Sequence, residues 1–82
     1  MIYDILNIIS SNRNSIKPTP LLRYSNLSFN LFNTYIEELT DKKLITEQFD
    51  KKENKSYSLT EKGQRYLEKY KAIEDFIEEF LL

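Results

Sequence analysis

The side chains that could do chemistry here are few in kind. The 82 residues include no Cys, no His and a single Gly. Thiolate and imidazole metal sites, Cys or His nucleophiles, Walker-type phosphate loops and disulfide staples are therefore excluded. A catalyst would have to work with carboxylates, Lys, Ser and Tyr, and no spacing in the chain pairs a nucleophile with a base. The chain reads as a non-enzyme that needs no metal or cofactor. What its polar residues can do is recognise. Ser28, Asn30, Asn33 and Thr34 gather amides and hydroxyls that both donate and accept hydrogen bonds. Lys51, Lys52 and Lys55 gather ammonium groups in one short segment, and Lys17 and Arg23 add two more cations upstream.

Those residues need a scaffold, and the apolar spacing says which. The length allows one small domain, and 40% apolar with 30% charged residues is a globular balance. Ile2, Ile5, Leu6 and Ile9 fall on one face of a helix of about three turns. Residues 10–15, rich in Ser and Asn, compete for backbone hydrogen bonds and predict a loop. Thr19 as N-cap with Pro20 at the first helical position predicts a short second helix, ended by Asn26. Ser28 caps a third helix running to about Lys43, with Phe32, Ile36 and Leu39 on its inner stripe. Residues 44–49 and 57–59 read as strands of a hairpin with a charged tip. Thr60 caps a last helix that continues to Leu82, and Gly63 costs little so near its start.

This order is mainly α with a small β-hairpin: a winged helix-turn-helix with a long C-terminal helix. Residues 1–60 make the winged domain and residues 61–82 the terminal helix, as one structural unit. The wording supports the order. Leu27-Ser28 opening a helix, Phe32, Tyr35 to Leu39, Lys42 and Leu44-Ile45, then Tyr57 to Gly63 and Tyr66-Leu67, resembles archaeal winged helix-turn-helix DNA-binding proteins. The resemblance covers almost the whole chain. It is greatest to the small members that dimerise through an antiparallel coiled coil of their last helices. It implies double-stranded DNA as partner and a role in transcription, with an architectural chromatin role as the alternative. Such sequences often carry Gly just before the Leu-Ile pair, and here that position is Lys43. A left-handed Lys costs about 1 kcal/mol unless the helix ends differently.

With Phe32 taken as inward and about 100° per residue, Ile36 and Leu39 stay within roughly 40° of it, whereas Asn30, Thr34, Glu37 and Asp41 point outward. In the mode the resemblance implies, Asn30, Asn33 and Thr34 meet base edges in the major groove, and Leu31 lies against a thymine methyl. Ser28 serves phosphate as well as capping. Lys51, Lys52 and Lys55 act as a wing on phosphate or minor groove, while Lys17 and Arg23 clamp the backbone near the second helix. The outward face has no cation, and Glu37 and Asp41 repel phosphate. Two other readings therefore stay open: a merely solvated helix face, and a winged module for protein contacts. No small-molecule site is legible.

Tyr66, Tyr70, Ile73, Ile77 and Phe80 repeat at alternating steps of 4 and 3, the seam of a coiled coil, which Leu67, Phe76 and Leu81 widen. Between residues 62 and 72, Lys62, Arg65, Glu68, Lys69 and Lys71 sum to +3, while Glu74, Asp75, Glu78 and Glu79 beyond them sum to −4. Antiparallel pairing sets each basic half against an acidic half. It predicts a homodimer in which Tyr66 meets Phe80, Tyr70 meets Ile77, and Ile73 lies near the two-fold axis. The alternative is a helix folded back on its own domain. The first segment is too short for a secretory core and carries Asp4 where a basic flank belongs, so the expected location is cytoplasmic, at the nucleoid, with no membrane partner.

Overall fold

The first apolar stripe folds into α1 (Ile2–Ser11), whose Ile5, Leu6 and Ile9 are fully enclosed in the computed structural model, which describes residues 2–81. Ser10 and Ser11 still belong to the helix, so the predicted loop begins later. It turns through Arg13 and Asn14, at φ 62° and 58°. Asn14 then does what a peptide group would. Its Oδ1 accepts the Leu59 N–H at 2.6 Å and its Nδ2 donates to the Leu59 carbonyl at 3.5 Å.

α2 (Pro18–Ser25) starts earlier than the sequence predicts. Lys17, extended at φ −75° and ψ 157°, is its N-cap without any side-chain bond, and Thr19 lies inside the first turn. Pro18 opens the helix because its fixed φ suits the first helical position and it has no N–H to leave orphaned. Asn26 ends the helix at φ 58°. α3 (Phe29–Asp41) begins as predicted, with the Ser28 Oγ accepting the Leu31 N–H at 3.3 Å. It ends two residues short of Lys43. The Lys43 N–H bonds the Thr40 carbonyl at 3.0 Å and the Leu44 N–H bonds the Leu39 carbonyl at 2.9 Å. That pair of bonds is a Schellman motif, and Lys43 fills its left-handed position at φ 61°.

β1 (Ile45–Phe49) and β2 (Lys55–Leu59) pair antiparallel, from Ile45 opposite Leu59 to Phe49 opposite Lys55. Ile16 bridges to Tyr57 on the other side of β2, with N–H···O bonds of 3.1 and 2.8 Å. Lys55 thus belongs to a strand and not to the hairpin tip, which is residues 50–54. The ladder continues there despite the low strand propensity of Lys because the pairing is set by the partner strand.

α4 (Glu61–Leu81) is capped by Thr60, whose Oγ1 accepts the Gly63 N–H at 3.0 Å and donates to the Lys43 carbonyl at 2.6 Å. Gly63 does more than sit harmlessly. A Cβ there would overlap the Leu44 carbonyl oxygen, so the lack of a side chain is what lets α4 lie against the α3–β1 turn. The core comprises Ile5, Leu6, Ile9, Leu21, Phe32, Leu39, Ile45 and their neighbours, and Leu67 is the last residue α4 gives to it. From Glu68 to Leu81 every residue is exposed, and the molecule is 49 Å long. The terminal helix therefore extends away instead of folding back. Leu82, the predicted end of the helix, lies outside the described residues.

Candidate nucleic-acid interface

Burial of Phe32, Ile36 and Leu39 fixes the rotation of α3 and leaves Ser28, Asn30, Leu31, Asn33 and Thr34 exposed. The Thr34 Oγ1 donates to the Asn30 carbonyl at 3.0 Å, so its remaining capacity is as an acceptor. Among the described residues, no side-chain hydrogen bond engages the amides of Asn30 and Asn33. Asn33 looks into an open concavity of about 330 Å³ between α3 and the hairpin, shared with Glu37, Asp41, Glu47, Lys55 and Tyr57.

The wing tip is pre-organised. The Asp50 carboxylate accepts the Lys52 N–H at 2.8 Å, the Asn54 N–H at 2.9 Å and the Asn54 Nδ2 at 3.2 Å. Glu53 takes a left-handed conformation at φ 63° to close the turn. The Asn54 backbone N–H, foremost, holds the Asp50 carboxyl below the ordinary Asp range, with the Asn54 amide, the Lys52 N–H and the charge of Lys17 acting the same way against partial desolvation. The charge of Lys17 thus reaches Asp50, at the base of the tip that carries Lys51 and Lys52. Lys55 is engaged elsewhere. Its Nζ lies 3.6 Å from Glu47 Oε1 and 5.7 Å from the centre of the Tyr57 ring. Arg23 is exposed in the last turn of α2, and among the described residues no hydrogen bond or ion pair ties it to the tip.

Sequence reasoning missed three exposed aromatics near these elements, Tyr24, Phe29 and Phe49. Phe49 shares its side of the hairpin with buried Ile45, yet is 61% exposed. Its position as the rung farthest from the Ile45–Leu59 end was a usable signal, because the body does not reach that far. A further open concavity of about 540 Å³ runs past Phe49 between Thr40, Lys43, Ile45 and Thr60. Among the described residues no group of His, Cys, Asp and Glu could hold a metal ion.

The seam residues Tyr66, Tyr70, Ile73, Phe76, Ile77, Phe80 and Leu81 are all exposed in the single chain. Two ring contacts order them: Tyr70 stacks on Tyr3 with centroids 4.3 Å apart, and Phe76 lies 4.9 Å from Phe80. Burial foremost, with Glu74, Tyr70, Asp4 and Asp75 nearby, raises the pKa of the Tyr3 hydroxyl.

No curated protein matches the chain. Among solved structures it is similar to F93 from STIV, described as a winged-helix DNA-binding protein. The likeness has a TM-score of 0.70 at 24% identity, over 95% of this chain and 88% of that one, and is one of fold. The sequence profile described as winged helix-turn-helix matches residues 1–78, and the chain belongs to that family.

Proposed function

We propose that the chain is a DNA-binding transcriptional regulator that works as a homodimer, with residues 1–60 as the winged head and residues 61–82 as the dimerisation helix. One observation carries this reading. The uncommitted amide of Asn33 and the hairpin flank a single open cleft, and the same hairpin carries Lys51 and Lys52 on a tip tied together by the Asp50 carboxylate. The first turns of α3 enter the major groove, where Asn30 and Asn33 read adenine edges, Thr34 accepts, and Leu31 meets a thymine methyl. Ser28 and Arg23 serve the backbone, and the wing lysines sit on phosphate or minor groove. Lys55 contributes less, since its charge is already opposed by Glu47.

A second reading has its own observation. Glu37, Asp41 and Glu47 place three carboxylates on the walls of that cleft, which suits a cationic protein segment better than phosphate. An architectural chromatin role differs from the first reading only in being indifferent to sequence. A DNA partner goes with a cytoplasmic, nucleoid-associated site of action, and no helix among the described residues is long and apolar enough to cross a membrane.

Selection of duplexes from a random pool at two salt concentrations decides among these. Enrichment of one motif at both concentrations supports the regulator. Retention without enrichment supports the architectural role, and no retention at low salt leaves the protein-binding module.

A further inference from the structure

We infer that the tail of α4 from a second copy, led by Phe80, seats in the tyrosine-lined cleft where α1, α3 and α4 meet, so that each tail braces the other copy's reading helix. This rests on the homodimer proposed above and adds to it a contact between tail and head.

The receiving cleft is built from Ile2, Tyr3, Tyr35, Tyr66 and Tyr70 and holds about 380 Å³. The Tyr3–Tyr70 stack, 20° from parallel, gives it a formed wall. Tyr35 brings α3 to the same place, on the flank of the helix away from Asn33. The occupant is equally formed. Phe76 and Phe80 already contact one another, and Phe80 and Leu81 stand 65% and 71% exposed, at the end of a strip of exposed apolar residues that includes Ile73 and Ile77.

A chain's own tail is out of reach of its own cleft, because Phe80 lies roughly 21 Å along the helix from Tyr66. An antiparallel second copy removes that distance. With Ile73 near the two-fold axis, Phe80 of the partner falls beside Tyr66, and so at the mouth of the cleft. Charge supports the same placement. Tyr66 separates the tyrosine cleft from a neighbouring one lined by Leu44, Lys62, Arg65 and Lys69. The residues next to Phe80 are Glu78 and Glu79. Aromatic rings thus meet tyrosines while carboxylates meet ammonium and guanidinium groups. Arg65 is shared with Glu61 and Lys62 with the Lys42 carbonyl, which leaves Lys69 as the readiest partner.

The absence of Cys makes a clean test. A Tyr35→Cys, Phe80→Cys double variant, treated with a short bismaleimide under conditions where the chain is dimeric, is expected to become a covalent dimer, while neither single variant does. A reagent with a spacer is needed because two aromatic side chains in contact hold their Cα atoms farther apart than the about 4.4–6.8 Å a direct disulfide spans. In parallel, Tyr3→Leu and Phe80→Ala are combined in a double-mutant cycle on the dimer dissociation constant. A departure from additivity of about two- to tenfold is expected for an aromatic contact. Additive effects in a chain that sediments as a dimer, together with no cross-link, overturn the tail seat and leave the dimer standing. A wild-type chain that sediments as a monomer at every concentration overturns both.

Discussion

At Gly63 the backbone of α4 passes so close to the Leu44 carbonyl that even a methyl group has no room. Helix propensity alone favours Ala over Gly by about 1 kcal/mol. The obstacle is backbone, and the same carbonyl accepts the Thr60 N–H at 3.1 Å, so it cannot swing aside. Gly63→Ala is therefore expected to lower the unfolding free energy by about 1–3 kcal/mol, seen as a lower midpoint in urea. Lys43→Gly acts in the opposite direction. Removing a Cβ from the left-handed position at φ 61° relieves about 1 kcal/mol, partly offset by the freer unfolded chain. A higher urea midpoint is expected, and an unchanged or lower one contradicts the strain assigned to Lys43. These two positions differ in how far a sequence reveals them. Lys43 is legible through the resemblance, because similar sequences often carry Gly just before the Leu-Ile pair. Gly63 is not, because its neighbour Leu44 comes close only through the tertiary fold. Asn14 escapes for the same reason, as its partner Leu59 is far along the chain.

The wing shows how an element can be right in kind and wrong in extent. Alternation locates the hairpin, but Lys55 and Ser56 carry no strand signal of their own and join β2 only because Phe49 and Gln48 pair with them. In α2, two prolines in alternate positions each fit a helix start, and only the structure selects Pro18. The periodic helices α1 and α3 were legible to within two residues, since burial enforces their spacing. The position of Lys55 alters what the lysines are expected to do. Lys51→Ala and Lys52→Ala should each reduce the salt slope of duplex binding by about 1, whereas Lys55→Ala should change it less. Equal effects from all three would show that Glu47 does not hold Lys55. Asn30→Ala and Asn33→Ala should instead cost about 1–3 kcal/mol of discrimination for a cognate adenine without changing that slope. The tip also has a pH signature. Because the folded pKa of Asp50 is depressed, its contribution is present above the unfolded value and lost as pH falls through the lowered one. The amide resonances of Lys52 and Asn54 are expected to hold their positions through the ordinary Asp range and shift only at more acidic pH.

At the scale of the whole molecule, the proposed dimer depends on the terminal helix. Its periodicity was legible, but the Tyr3–Tyr70 stack was not, because nothing in the spacing of either helix says that their rings meet. A helix of 21 residues is about 32 Å long, close to the roughly 34–36 Å between successive major grooves on one face of a duplex. In the proposed homodimer, two heads held by an antiparallel pair would address half-sites about one turn apart. With one head bound, the other would meet its half-site at a raised effective concentration, which commonly adds about 10²–10⁴ in avidity. Ile73 is exposed in the single chain, and in the proposed antiparallel dimer Ile73→Lys would put an ammonium group beside its own copy at the two-fold axis. The head is untouched by that change, so its fold and weak single-site binding are expected to persist. Light scattering should report a monomer, and anisotropy on a two-half-site duplex should report a loss of about a hundredfold or more. A variant that is monomeric yet binds that duplex as tightly as the parent would mean that one head suffices, and a variant that stays dimeric would mean that the seam lies elsewhere.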